Sequence, residues 1–205
     1  MKKSLNWLYL IQLMFLAPSF IYWLDSRSWS FSELGFYGLF PLLGLFAFTM
    51  MWFHLMVAYL KKIRPKMFDY ENFYKITSRI VLALIILHPG LLIYKSLSQG
   101  TSVLDYSGNN NRAFIAFGII ALIVFLGYEV VEKFKKSSII VNNQQYVRAF
   151  NRAAFVLVYT HGLMVGQHLQ NGWLKILWIF YGITTLIYLV WAYNTEILKD
   201  KKSLK

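Results

Sequence analysis

The sequence predicts an all-α fold, a six-helix transmembrane bundle with both termini cytoplasmic, and three observations carry that expectation. The 205 residues are 58% hydrophobic and 19% aromatic, with a mean hydropathy of +0.47, far too apolar for a soluble domain of this length. Six segments are each long enough to cross a hydrocarbon core of roughly 30 Å, at about 20 residues per helix. None alternates like a barrel strand, and lipid leaves a spanning backbone only a helix or a closed barrel in which to satisfy its amides.

The first span covers about 5–24. Met1-Lys2-Lys3 and the apolar run through Phe20 have the layout of a secretory signal. The run is longer than a signal core, however, and no small-x-small cleavage site follows Ala17-Pro18-Ser19, so a retained span is expected. A connection holding Asp25, Arg27 and Glu33 leads to the second span, about 36–60, which ends in a basic inner loop from Lys61 to Glu71. The third, about 75–96, opens into a polar outer loop from Leu97 to Asn111, with Ser107-Gly108-Asn109-Asn110-Asn111 at its end. The fourth, about 113–133, is followed by an inner connection, Lys135 to Gln145, expected to be irregular around Asn142-Asn143-Gln144-Gln145. The fifth and sixth, about 147–168 and 173–194, are joined by a few residues near Asn171-Gly172, which makes them antiparallel neighbours.

A net charge of +12 raises nucleic acid as a partner, but the placement of the charge points to membrane topology. Lys2 and Lys3, then Lys61, Lys62, Arg64 and Lys66, then Lys133, Lys135 and Lys136, then Lys199, Lys201, Lys202 and Lys205 all fall on one face of a six-span arrangement. Basic residues concentrate on cytoplasmic loops, so that face is inside and membrane lipid, not nucleic acid, is the expected surrounding. The cell membrane is the expected location. The tryptophans at 7, 23, 29, 173, 178 and 191 lie mostly near span ends, as an interfacial belt does. With no cysteine, the chain can form no disulfide, no cysteine-ligated iron–sulfur cluster and no covalent haem attachment.

Two stretches repeat one pattern. Arg79 to Gly90 and Arg152 to Gly162 each carry an arginine, eight mostly apolar residues, a histidine and a nearby glycine. The chain has four histidines, and an imidazole within a bilayer is costly unless paired or ligated. Both stretches run from inside to outside, and each histidine lies nine positions past its arginine, roughly 13 Å along the axis. His88 and His161 are therefore expected at one depth in the outer half, where each can give Nε2 to a porphyrin iron while Nδ1–H bonds a nearby carbonyl. Pro89 frees the Ile85 carbonyl one turn below His88, and Gly90 and Gly162 offer close approach to a flat macrocycle. Two hydrogen-bonded structural histidines are the plain alternative, with proton transfer or another metal site behind it. His54 and His168 are secondary candidates: His54 as a polar partner of Glu129, and His168, two turns past His161 on the same helix face, for a propionate, quinone or metal. Arg79 and Arg152 fall half a turn away from their histidines and read as snorkelling anchors, with Glu129 and Glu132 as counter-charges.

At His161-Gly162-Leu163-Met164-Val165-Gly166, preceded by Asn151-Arg152 and matched by Arg79 through His88-Pro89-Gly90, the chain resembles the ferric-reductase-like transmembrane family. That family includes the membrane domains of ferric reductases and NADPH oxidases and the haem-binding membrane subunit of the bacterial periplasmic methionine sulfoxide reductase system. The resemblance implies one domain over residues 1–205 and an electron-transfer role, with His88 and His161 as ligands of the haem iron. Two-haem members carry a second histidine 13 or 14 residues nearer the cytoplasm on both helices; here those positions are Tyr74 or Lys75 and Val147 or Arg148.

The expectation is thus an integral-membrane b-type cytochrome with one noncovalent haem b, dependent on a separate electron-donor protein or quinol. A quinone or flavin is a further cofactor candidate, filling the inner half of the path, and an extracytoplasmic acceptor protein is a candidate partner. Two other classes compete: a haem-free membrane scaffold or assembly partner that keeps the fold, and a small transporter. The transporter is disfavoured because charges sit near span ends and no pair of broken helices marks a midplane site.

Overall fold

The computed structural model describes residues 7–30, 36–105, 111–134, 137–170 and 172–203. Lys2, Lys3, Glu33, Ser107 to Asn110, Lys135, Lys136, Asn171 and Lys205, which figure in the topology expectation, lie outside them. The fold is all-helical, with seven α-helices among the described residues: α1 (Trp7–Asp25), α2 (Phe40–Ile63), α3 (Tyr70–Gln99), α4 (Arg112–Lys133), α5 (Ser138–Asn142), α6 (Gln144–Val165) and α7 (Trp173–Ser203). Single turns of 3-10 helix at Phe36–Leu39, Val103–Asp105 and Gln167–Leu169 join them.

Five helices are long and apolar enough to cross a membrane: Trp7–Asp25, Tyr37–Ile63, Tyr70–Gln99, Arg112–Lys133 and Trp173–Thr195. This makes the chain a multi-pass membrane protein. Helix α6 has 22 residues and hence the length, but its first half carries Gln144, Gln145, Arg148, Asn151 and Arg152. That makes it the least apolar of the long helices.

Helix ends follow local chemistry. Pro41 sits in the first turn of α2, where its missing N–H costs nothing, and Lys61 and Lys62 in the last turn complement the carbonyl end of the dipole. The α2–α3 loop is shorter than expected, because α2 runs to Ile63 and α3 begins at Tyr70. Tyr70 closes it by donating its hydroxyl to the Arg64 carbonyl at 2.8 Å. The connection expected to be irregular instead contains α5. The Ser137 carbonyl accepts the amides of Ile140 and Val141 at 3.1 and 3.0 Å, and the Asn143 carbonyl then accepts those of Tyr146 and Val147 at 3.0 and 3.2 Å. Each carbonyl starts a new helix, so one residue suffices between α5 and α6.

The helices group into two compact units, Met1–Leu92 with Asn171–Lys205, and Ile93–Gln170. In the first, α2 is the most enclosed span, flanked by α1 and α7. Lipid tails are as apolar as leucine, so packing and hydrogen bonding rather than hydrophobicity hold such helices together. Trp52 on α2 illustrates both. Its ring lies 4.2 Å from Tyr181 and 4.9 Å from Phe15, and its Nε1–H donates to Thr184 Oγ1 at 2.8 Å. Near the start of α2, Trp23 donates to the Gly38 carbonyl at 3.1 Å; near its end, Lys62 Nζ stands 4.4 Å over the Trp191 ring. In the second unit, α4 packs along α6.

Candidate functional site

Within the first unit, His88 projects from α3 onto the start of α2. Its Nδ1 lies 2.9 Å from the Phe40 carbonyl oxygen. The imidazole stacks on the Phe40 ring at 4.3 Å and 10°, and Tyr37 extends the stack at 5.6 Å and 7°. Within the second unit, His161 projects from α6 onto the start of α4, with Nδ1 2.8 Å from the Phe114 carbonyl oxygen. A carbonyl only accepts, so both rings donate from Nδ1, and the neutral imidazole of this tautomer carries its lone pair on Nε2.

The two settings share a second feature. A Cβ added to Gly44 would stand 2.7 Å from His88 Cε1, and one added to Gly118 would stand 2.8 Å from His161 Nδ1. Each glycine lies four residues past the phenylalanine whose carbonyl holds the ring. Helix geometry supplies the reason. A carbonyl at position i gives one lone pair to the amide at i+4, and an imidazole that reaches the other lone pair must lie across residue i+4. Only a residue without a side chain leaves room there.

The carbonyl that bonds His88 Nδ1 belongs to Phe40 on the facing helix, not to Ile85 on its own. Gly44 and Gly118 likewise lie on facing helices, and a Cβ at Gly90 would meet nothing within 4 Å. The spacing Phe-x3-Gly was present in the sequence at Phe40 and Gly44 and at Phe114 and Gly118, but it also occurs at Phe31 and Gly35. Without knowing which helices face each other, the pattern does not select the two that matter.

His54 on α2 has its Nε2 2.7 Å from Thr77 Oγ1 on α3, so its polar partner is a threonine hydroxyl rather than the expected Glu129. His168 does not share a helix face with His161. Gly166 turns to extended backbone at φ −70° and ψ 102°, which ends α6. Gln170 then donates Nε2 to the Leu163 and Met164 carbonyls at 3.1 and 3.3 Å, meeting acceptors the terminated helix leaves over. His168 therefore lies in the following 3-10 turn, half-buried. Arg79 is exposed and Arg152 half-buried. Among the described residues, no group of three or more histidine, cysteine or acidic side chains could hold a metal ion, so any iron here would need ligands supplied singly. No protein-family model, curated protein or solved structure matches the chain.

Proposed function

We propose that the chain is an integral-membrane b-type cytochrome, of the ferric-reductase-like type, which transfers electrons across or within the membrane through a single haem held by His88 and His161. One observation carries the reading: both imidazoles donate Nδ1–H to a main-chain carbonyl, at 2.9 and 2.8 Å. That is the anchoring a neutral imidazole ligand uses to fix its ring orientation and raise the basicity of Nε2. The donor chemistry fits an iron porphyrin, since two neutral nitrogens are the ligands low-spin haem iron takes and the chain has no cysteine to compete.

The bound haem supplies reversible one-electron chemistry; the protein supplies the rest. The Phe40 and Phe114 carbonyls hold each ring in one tautomer, Gly44 and Gly118 make room for it, and the apolar spans exclude water. In this reading α6 is the fifth of six spans, both termini are cytoplasmic, and Arg79 and Arg152 snorkel to the inner interface. An inner histidine on α3 would fall at Tyr74 or Lys75, and Tyr74 donates its hydroxyl to the His54 carbonyl at 3.0 Å. One haem per chain is therefore expected, with a separate electron donor.

The test is the absorption spectrum of the purified full chain supplied with haem. A low-spin b-type signal, one haem per chain, lost in His88→Ala and in His161→Ala, is the expected result. A folded protein with no such signal, or with a signal indifferent to both substitutions, rejects the cytochrome and favours the haem-free scaffold.

A further inference from the structure

His88 and His161 are held alike by their carbonyls but unlike by their neighbouring rings. Phe40 directly follows the 3-10 turn Phe36–Leu39, and in that geometry side chains three apart eclipse. The Tyr37 ring is thereby laid flat on Phe40, at 5.6 Å and 7°, and Phe40 in turn lies flat on the His88 imidazole, at 4.3 Å and 10°. The same register on α4 offers no such partner, because the residue three before Phe114 is Asn111. The Phe114 ring instead packs edge-on to Phe117, three residues after it, at 5.7 Å and 86°. Among the described residues no ring is stacked on His161.

A hydrogen bond from Nδ1 to a carbonyl fixes the tautomer and the direction of one N–H, but the ring can still turn about that bond. A second ring flat against its face stops the turn, because aromatic pairs keep a preferred offset and spacing. His88 is thus held in tautomer and in plane, and His161 in tautomer alone. Gly44 and Gly118 stand comparably close to the two imidazoles, so the glycines do not account for the difference.

We propose that Tyr37 and Phe40 are positioning residues that fix the plane of the His88 imidazole, making the two ligands unequal: one ring held, the other able to rock about its hydrogen bond. As a statement about ligands this rests on the cytochrome reading above. The plane of an axial imidazole decides which dπ orbital of the iron it overlaps, and the angle between two such planes sets the g anisotropy of low-spin ferric haem. Locking a ligand's rotamer by packing as well as by a hydrogen bond is what keeps such a constellation in one geometry.

Two readouts test the proposal, the first without haem. The full chain in nanodiscs, carrying carbon-13-labelled histidine, is measured by NMR relaxation. The His88 ring order parameter is expected near that of rigid backbone, about 0.85, and above that of His161. Phe40→Leu should lower it to the His161 level and Tyr37→Leu part-way, whereas Tyr37→Phe, which keeps the stacked ring, and Phe114→Leu should leave it unchanged. Tyr37→Leu leaves the buried Phe40 in place and serves if Phe40→Leu fails to fold. In the haem-loaded chain, the low-field g feature of the ferric EPR spectrum should shift or broaden in Phe40→Leu and Tyr37→Leu, and not in Tyr37→Phe or Phe114→Leu, at unchanged haem content. A His88 ring no more ordered than His161 in the parent, one that stays as ordered in both leucine variants, or a g feature that moves equally in Phe114→Leu would each overturn the proposal. A parent with no low-spin signal rejects the cytochrome instead, and the haem-free order parameters still decide whether the stack holds His88.

Discussion

Gly118 lies so close against His161 that a single methyl group on its α-carbon would stand 2.8 Å from Nδ1, inside any real contact distance. The obstruction would be a rigid ring already bonded to the Phe114 carbonyl on the same helix turn. Gly118→Ala should therefore push the imidazole off its carbonyl, and Gly44→Ala should do the same to His88. Overpacking of this kind costs about 1–3 kcal/mol. Thermal melting of each variant in detergent measures the loss, and haem retention should fall with it. Gly90→Ala and Gly127→Ala are the controls. A Cβ at either meets nothing within 4 Å, and removing a glycine from a helix interior is favourable by up to about 1 kcal/mol. Those two should melt no lower than the parent.

Phe40 holds His88 twice, through its carbonyl and through its ring. Phe40→Leu keeps the first contact and removes the second. Stacked aromatic pairs contribute about 0.5–1.5 kcal/mol beyond the area they bury, so a melting loss of that order is expected. The low-spin spectrum should survive, because the carbonyl still sets the tautomer. A spectrum lost in Phe40→Leu would mean that the ring, and not the carbonyl, orients the ligand.

Trp52→Phe deletes the hydrogen bond to Thr184 that ties α2 to α7 while keeping most of the ring packing on Tyr181. Thr184 keeps its one hydroxyl proton between the Phe180 and Tyr181 carbonyls, at 2.9 and 3.1 Å. No buried group is stranded, and the cost should be small, about 1 kcal/mol. Trp52→Ala should cost about 3–5 kcal/mol, since it also leaves a cavity beside Tyr181 and Phe15.

Gly100 and Gly172 both have positive φ, +65° and +84°. Alanine at either pays about 1–2 kcal/mol for the left-handed backbone. Position 172 should suffer more, because a Cβ there meets Tyr22 Oη at 3.2 Å whereas at 100 the space is open. The difference between the two melting losses isolates the Tyr22 contact.

The absence of native cysteine makes topology directly measurable. Ser102→Cys and Lys66→Cys introduce single thiols at exposed positions in the two loops that flank α3. In intact cells an impermeant maleimide should label position 102 and not 66, and in inverted vesicles the reverse. Labelling of 66 from outside would invert the proposed orientation.

The helices were largely legible in the sequence, and for a definite reason. Hydropathy and the length needed to cross a bilayer are properties of contiguous residues, so the expected spans 5–24, 113–133 and 173–194 overlap α1, α4 and α7 closely. Missed features depend on single backbone bonds. The Ser137 and Asn143 carbonyls start α5 and α6 almost without a break, and the extended Gly166 ends α6 before His168, which removes that histidine from the face it was expected to share.

The Arg-to-His repeats that single out His88 and His161 are local patterns, and reading along the chain suffices to find them. What orients each ring is not local. The anchoring carbonyls lie 48 and 47 residues away, on helices whose neighbourhood only packing establishes. The partner of His54 has the same origin, since Thr77 lies on the next helix, 23 residues further along the chain. A helix is a bargain among residues four apart, whereas the nitrogen on which a buried histidine keeps its proton is settled by whichever chain happens to lie across from it.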